Sequence, residues 1–281
     1  MLVLHIDQTD ASTATGHDTH WGYTQEDGPN SDNPYWQGIC QSGKRQSPIN
    51  IHPFRVFKND SLGSLIFSGY HQLGPVTITN NGHSLTATGF DKWGDGSLTP
   101  YITCGGLSGK YNLVNFHLHW GENDMLGSEH QLNFFRFPLE AHFVHQRADL
   151  DATQALLEPD GLAVVAVWYI LDNFNPAPLK RLDDAYDSID PFNSTVTLFD
   201  VMLSDMVPIS TAAFYRYSGS LTTPGCEEAV VWSIMSHPMT IADYQLKKLR
   251  EHNSELNRKL TRNYRNLQEL HGRIVSRNGW F

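Results

Sequence analysis

Val114-Asn115-Phe116-His117-Leu118-His119-Trp120 is the stretch whose reading decides the fold, because polar and apolar residues alternate along it without a break. On a strand, successive side chains point to opposite faces, so Asn115, His117 and His119 share one face while Phe116, Leu118 and Trp120 share the other. On a helix, residues two apart do not face each other, so this spacing chelates a metal only from a strand. Downstream, Glu140-Ala141-His142-Phe143-Val144-His145 alternates again and puts Glu140, His142 and Val144 on one face of a second strand. Three imidazoles converge if these strands are neighbours, which alternation by itself does not establish. A lone His-x-His on a strand is more often two surface or satisfied histidines than a metal site. Three protein ligands with an open fourth position would make a catalytic zinc site rather than a closed structural one.

Outward from these strands, the chain between about 20 and 240 reads as short apolar or alternating runs separated by Gly, Pro, Asn and Asp: Val76 to Thr79, Leu113 to Trp120, Leu139 to His145, Leu162 to Leu171 and Val230 to Met235. That pattern predicts a large sheet with few long helices. No repeat or flexible linker divides the chain, and 281 residues with 40% hydrophobic content suffice for one domain. Residues 1–20 lack apolar periodicity and are expected to be a flexible tail, leaving 21–281 as the folded domain. Beyond 240, Leu249, Leu256, Leu260, Tyr264 and Leu267 recur at helical spacing and alone suggest a long amphipathic helix.

Thirty acidic against twenty basic residues give a net charge of −10, without a Lys/Arg cluster, which argues against nucleic acid as a partner. The longest apolar run, Leu162 to Leu171, is far shorter than the roughly 20 residues of a membrane-spanning helix, and a soluble chain is expected. The N-terminus lacks the pattern of a secretory signal. Asn59-Asp60-Ser61 and Asn193-Ser194-Thr195 fit the glycosylation sequon. Cys40, Cys104 and Cys226 are too few for a disulfide framework and are not spaced for a thiolate zinc site.

The run from Phe116 to Gly121, then Gly127-Ser128-Glu129-His130 and Glu140 to His145, resembles the α-class carbonic anhydrases. Further matches stand in the same order: Gln46 to Ile51, Asn80-Asn81-Gly82-His83, Asp160 to Val164, Ser218 to Pro224, and Trp232. The resemblance covers about residues 20 to 277. It implies a mainly β, α+β domain: a large twisted, mostly antiparallel sheet flanked by short surface helices. It also implies reversible hydration of carbon dioxide to bicarbonate by a zinc-bound hydroxide, with possible side activity on esters and inhibition by sulfonamides and anions.

Position by position, the resemblance makes His117, His119 and His142 the ligands of one Zn2+. Thr222 is expected to orient the hydroxide, with Glu129 accepting from Thr222. His83 matches the proton shuttle, a role suited to an imidazole pKa near 6.5. Tyr23, Asn81 and Thr223 match residues that order water, and Val144, Val164, Leu221 and Trp232 match an apolar wall for carbon dioxide. Behind the ligands, Glu140 would orient His142, Asn115 would orient His117, and the Asn263 carbonyl would orient His119. Asn115 replaces the usual Gln and is expected to reach only with adjustment or through water; Gly225 replaces a common Pro, and Tyr264 a Trp. Asn263-Tyr264-Arg265 matches an extended segment, so a helix is expected only near 241 to 253.

Cys40 and Cys226 match the disulfide pair of the extracellular members, which together with the sequons points to a secreted protein. Cys104 is left over, either buried or linking two chains as a homodimer. The competing reading is a non-catalytic binding or biomineral matrix protein of the same fold, which the presence of all three ligands, Glu129 and Thr222 disfavours.

Overall fold

Leu162–Leu171 organises the molecule. In the computed structural model, which describes residues 20–30, 32–174 and 177–278, the first eight residues of this strand are buried. β-Branched and aromatic side chains suit a pleated surface, and a strand apolar on both faces needs cover on both. Ala163, Val165, Val167 and Tyr169 enter one hydrophobic core, while Leu162, Val164, Ala166 and Trp168 enter a second on the opposite face.

Around this strand the described residues form a sheet of 13 strands. Its path runs from Thr195–Met202 at one edge through Leu73–Asn80, Leu85–Thr88, Tyr111–Trp120, Leu139–Arg147, Leu162–Leu171, Val230–Met235 and Phe214–Gly219 to Ser276–Arg277 and Phe57–Lys58. Pairing is mostly antiparallel, with parallel ladders where Leu162–Leu171 meets Val230–Met235 and Met239–Ile241, and where Ser276–Arg277 meets Phe57–Lys58. The α-helices are short: Ile39–Ser42, Ala152–Leu157, Asp183–Tyr186 and Asp243–Leu249. Among the described residues no helix is long and apolar enough to cross a membrane.

A β-bulge in the strand Tyr111–Trp120 corrects the simple alternation. Leu113 lies opposite His145, but Asn115 lies opposite Val144, so Val114 is an extra residue on its strand. The extra residue reverses the facing. Tyr111 and Leu113 point into the first core, and beyond the bulge Phe116, Leu118 and Trp120 take over that core face. Asn115, His117 and His119 are left on the opposite face, although they share parity with Leu113.

The C-terminal segment is mostly irregular. The helix spans Asp243–Leu249, within the expected 241 to 253 but shorter. Leu256, Leu260, Tyr264 and Leu267 are not helical, because this stretch is drawn along the end of the His117 strand: Asn263 N donates to Trp120 O (3.1 Å), and Asn263 Oδ1 accepts from Trp120 N (2.7 Å). At the other end, residues 1–19 of the expected tail lie outside the described residues. His20 belongs to the folded domain, buried with its Nδ1 2.6 Å from Glu255 Oε2. Cys40 and Cys226 form a disulfide that closes a loop of 186 residues, worth about 5 kcal/mol in the chain-entropy treatment. Cys104 is a free thiol and is exposed, which excludes the buried alternative.

Candidate metal centre and active-site cavity

The sheet register builds the site. His117 pairs directly with His142, and His119 with Glu140; directly paired residues share a face with their Cβ atoms about 5 Å apart. The His117–His119, His117–His142 and His119–His142 ring centroids are 5.0, 5.3 and 4.5 Å apart. One nitrogen from each ring lies within 4.8 Å of the others.

Hydrogen bonding decides which nitrogen each ring turns inward. His119 Nδ1 lies 2.7 Å from the Asn263 carbonyl, which can only accept, so Nδ1 carries the proton. His142 Nε2 lies 2.7 Å from Glu140 Oε1 and His117 Nδ1 lies 3.0 Å from Asn115 Oδ1, both again acceptors. The bare lone pairs are therefore His117 Nε2, His119 Nε2 and His142 Nδ1. His119 Nε2 is buried without a hydrogen-bond partner, and it faces Glu129 Oε2, itself buried and unpartnered, at 3.6 Å. His142 Nδ1 is 3.9 Å from the same oxygen. Lone pairs converging with a carboxylate behind them call for a cation, and three imidazoles suit Zn2+. Burial, with the neighbouring His119 for both and His142 for His117, holds the His117 and His142 pKa values below the ordinary range, favouring the neutral form. The shorter Asn115 reaches His117 directly.

A second cluster, His130, Glu140 and His142, is closed by its own hydrogen bonds. His130 Nδ1 lies 2.7 Å from Glu140 Oε1 and its Nε2 2.7 Å from Tyr217 Oη. Glu140 Oε2 accepts from His130 N (2.9 Å) and Trp168 Nε1 (3.2 Å). Burial raises the Glu140 pKa, but His130 and His142 more than offset this and hold the carboxyl well below the usual carboxylate range. This network is not evident from strand alternation, since Trp168, which donates to Glu140, and Tyr217, which meets His130, come from other strands.

A cavity of about 190 Å³ opens onto the imidazoles. Tyr23, Asn81, His83, Asn115, Val144, Val164, Leu221, Thr222, Thr223 and Trp232 all line it. Strand order explains its two chemistries. Thr86 pairs with His117 on one side of the triad, and Thr88, Ser84, His83 and Asn81 come from the same hairpin. On the other side Val144 pairs with Val164, and Val164 with Trp232, in one apolar row.

Two expectations meet a different arrangement. No hydrogen bond joins Thr222 to Glu129: Oε1 accepts from Arg265 N at 2.7 Å, and Oε2 is turned toward the triad nitrogens. His83 is stacked on Trp21, with ring centroids 3.7 Å apart, and lies 5.6 Å from the His20 ring. Burial first, then the neighbouring His20, lowers its pKa to about 3 rather than leaving it near 6.5. The Asn81 side chain does form the turn beneath it, accepting from His83 N (3.0 Å) and Ser84 N (2.7 Å). Trp21 and Glu227 line the cavity although the sequence did not single them out, and His20 packs near His83. His20 and Trp21 stand where the tail was expected to end.

Comparison with known proteins gives one answer along the whole chain. Residues 19–279 match the family model of the eukaryotic-type carbonic anhydrases. The chain is 41% identical to "Putative carbonic anhydrase 5" of Caenorhabditis elegans over 271 residues, covering 94% of this chain and 83% of that relative. It is 36% identical to human carbonic anhydrase 7 over 269 residues (93% and 97%), and 31% identical to human carbonic anhydrase 12 over 288 residues (98% and 77%). With the sheet, the histidine cluster and the family match in agreement, the chain belongs to the eukaryotic-type carbonic anhydrases, a family of zinc-dependent enzymes.

Proposed function

We propose that this chain hydrates carbon dioxide reversibly to bicarbonate and a proton, with Zn2+ held by His117 Nε2, His119 Nε2 and His142 Nδ1. The observation that carries the reading is the convergence of three bare imidazole nitrogens at a cavity whose walls are polar on one side and apolar on the other. Bound there, zinc supplies the Lewis acidity that lets water act as a nucleophile near neutral pH. The apolar row of Val144, Val164 and Trp232, with Leu221, receives carbon dioxide. Thr222 orients the attacking water through its hydroxyl, and Glu129 Oε2 is the buried acceptor left open for the Thr222 proton. Glu140, Asn115 and the Asn263 carbonyl keep the three rings in the ligating tautomer. Tyr23, Asn81 and Thr223 order water toward His83, which passes the proton outward. Sulfonamides and small anions bind at the same centre, and activated esters are hydrolysed there.

Stopped-flow hydration, before and after chelation and zinc repletion, tests this reading. Activity is expected to vanish on chelation and in His117→Ala and to return only to the wild type with zinc. A folded, zinc-loaded chain without hydration activity would refute it. We also assign the chain to an oxidising, extracytosolic compartment, supported by the Cys40–Cys226 disulfide. Asn193, exposed at a turn, is the more open of the two sequons; Asn59 Oδ1 is engaged by Ser61 N (3.1 Å) and Ser61 Oγ (2.6 Å).

A further inference from the structure

Glu227 is the only carboxylate lining the cavity, among the described residues, and neither Lys nor Arg lines it. The chain reaches this position by a tightly held turn. Thr222, Thr223 and Pro224 line the wall, Cys226 N donates to Thr223 O at 3.0 Å, and Leu221 N donates to Glu227 O at 3.0 Å. Cys226 is in turn tied to Cys40, so Glu227 follows a residue with little freedom to move.

Two independent observations single out its carboxylate. Oε2 is buried and has no hydrogen-bond partner, and the hydrogen bond the half-buried carboxyl does receive comes from its own backbone, which leaves its charge uncompensated. Gly225, at φ +101°, lies directly beneath it: a Cβ there would stand 2.6 Å from Oε1 and 2.7 Å from Oε2. A side chain at 225 on this backbone would displace the carboxylate, and the Pro expected from the resemblance, locked at a φ of about −65°, could not adopt the backbone at all. Gly225 and Glu227 thus act as one feature, glycine making the space into which the acid folds. Burial raises the Glu227 pKa, consistent with an acid that lacks a neighbouring cation.

We propose that Glu227 is a cation-accepting subsite, binding the protonated amine of a small ligand whose other end occupies the metal centre. Leu221 and Pro224, on the same wall, cover the apolar spacer between the two ends. An ammonium group meeting the cavity side of the carboxyl supplies the donors and the positive charge that no Lys or Arg lining the cavity provides. The class selected is small primary amines carrying a zinc-binding head, such as a sulfonamide. This proposal rests on the zinc reading above.

Two matched pairs of para-substituted benzenesulfonamides test it by calorimetry on the zinc-loaded protein at pH 8: aminomethyl against ethyl, and aminoethyl against propyl. The members of each pair have nearly the same shape and differ in charge. On the wild type one amine is expected to bind about tenfold more tightly than its neutral partner, the size of one charge-assisted hydrogen bond. In Glu227→Gln that preference is expected to fall below about threefold. Equal binding within both pairs on the wild type overturns the subsite, and so does an amine preference that survives in Glu227→Gln. If none of the four compounds binds, the zinc reading fails and takes the subsite with it, whereas tight binding of the neutral compounds alone leaves the zinc reading standing and refutes only the role of Glu227.

Discussion

Asn115 shows how a single side chain is judged by where its backbone stands rather than by its length. It sits immediately after the bulged Val114, and its Oδ1 lies 3.0 Å from His117 Nδ1. Asn115→Ala removes the acceptor that holds His117 in its ligating tautomer, and zinc affinity should fall about 10- to 100-fold, read by competition with a chromogenic chelator. Unchanged affinity would show that the contact is incidental. His83 carries a second residue-level consequence. Stacked on Trp21 and poorly basic at about 3, it is a weak acceptor for a proton from a donor near neutrality, by about 4 units or roughly 5 kcal/mol. Trp21→Ala admits water to the ring, so the His83 pKa should rise toward its ordinary value in an NMR titration. At low buffer concentration kcat should then increase while kcat/KM stays constant; a kcat that stays level or drops would argue against this limit on proton export.

At the scale of the element, the bulge in Tyr111–Trp120 lets one strand serve two faces in succession. Without Val114 the ladder to Leu139–Arg147 would run in continuous register, and either Tyr111 and Leu113 or His117 and His119 would turn to the wrong side. Deleting Val114 is therefore expected to abolish stoichiometric zinc binding, measured by metal analysis of the purified protein. A deletion variant that still bound one zinc per chain would mean the strand re-forms the bulge elsewhere. The C-terminal segment shows the opposite balance between pattern and partner. Its leucines repeat at helical spacing, yet Asn263 and Arg265 run along the site so that a backbone carbonyl meets His119 and a backbone N–H meets Glu129. A helix would consume those groups internally.

Over the whole molecule, one sheet separates two cores, and the titratable groups buried in them make stability depend on pH. His145 lies on the core face, its Nε2 2.7 Å from Tyr70 Oη and its Nδ1 3.1 Å from Ala163 O. Burial lowers its pKa to about 3. The unfolded chain takes up a proton as pH falls through about 6.5 while the folded chain does not, so stability is lost on acidification and regained as pH rises. Between pH 7 and pH 5 this group alone should cost about 2 kcal/mol, measured from urea midpoints on the zinc-loaded protein. Equal midpoints at the two pH values would exclude a neutral, buried His145. The net charge of −10 carries no argument about the fold.

Strand identity and the shared face of His117 and His119 were legible in the sequence, because alternation is a property of a few adjacent residues. The ordered motifs extended that reading to the family and to the Cys40–Cys226 pair. Only the tertiary structure placed His142 opposite His117, since register depends on hydrogen bonds between residues remote in the chain. The same holds for the low basicity of His83, set by Trp21 and His20 packing from the N-terminal side. Glu227 falls between the two cases. Its position next to the Thr222 loop can be read in the sequence, but the unpartnered Oε2 over Gly225 follows from a backbone bend and a cavity wall that no local pattern encodes.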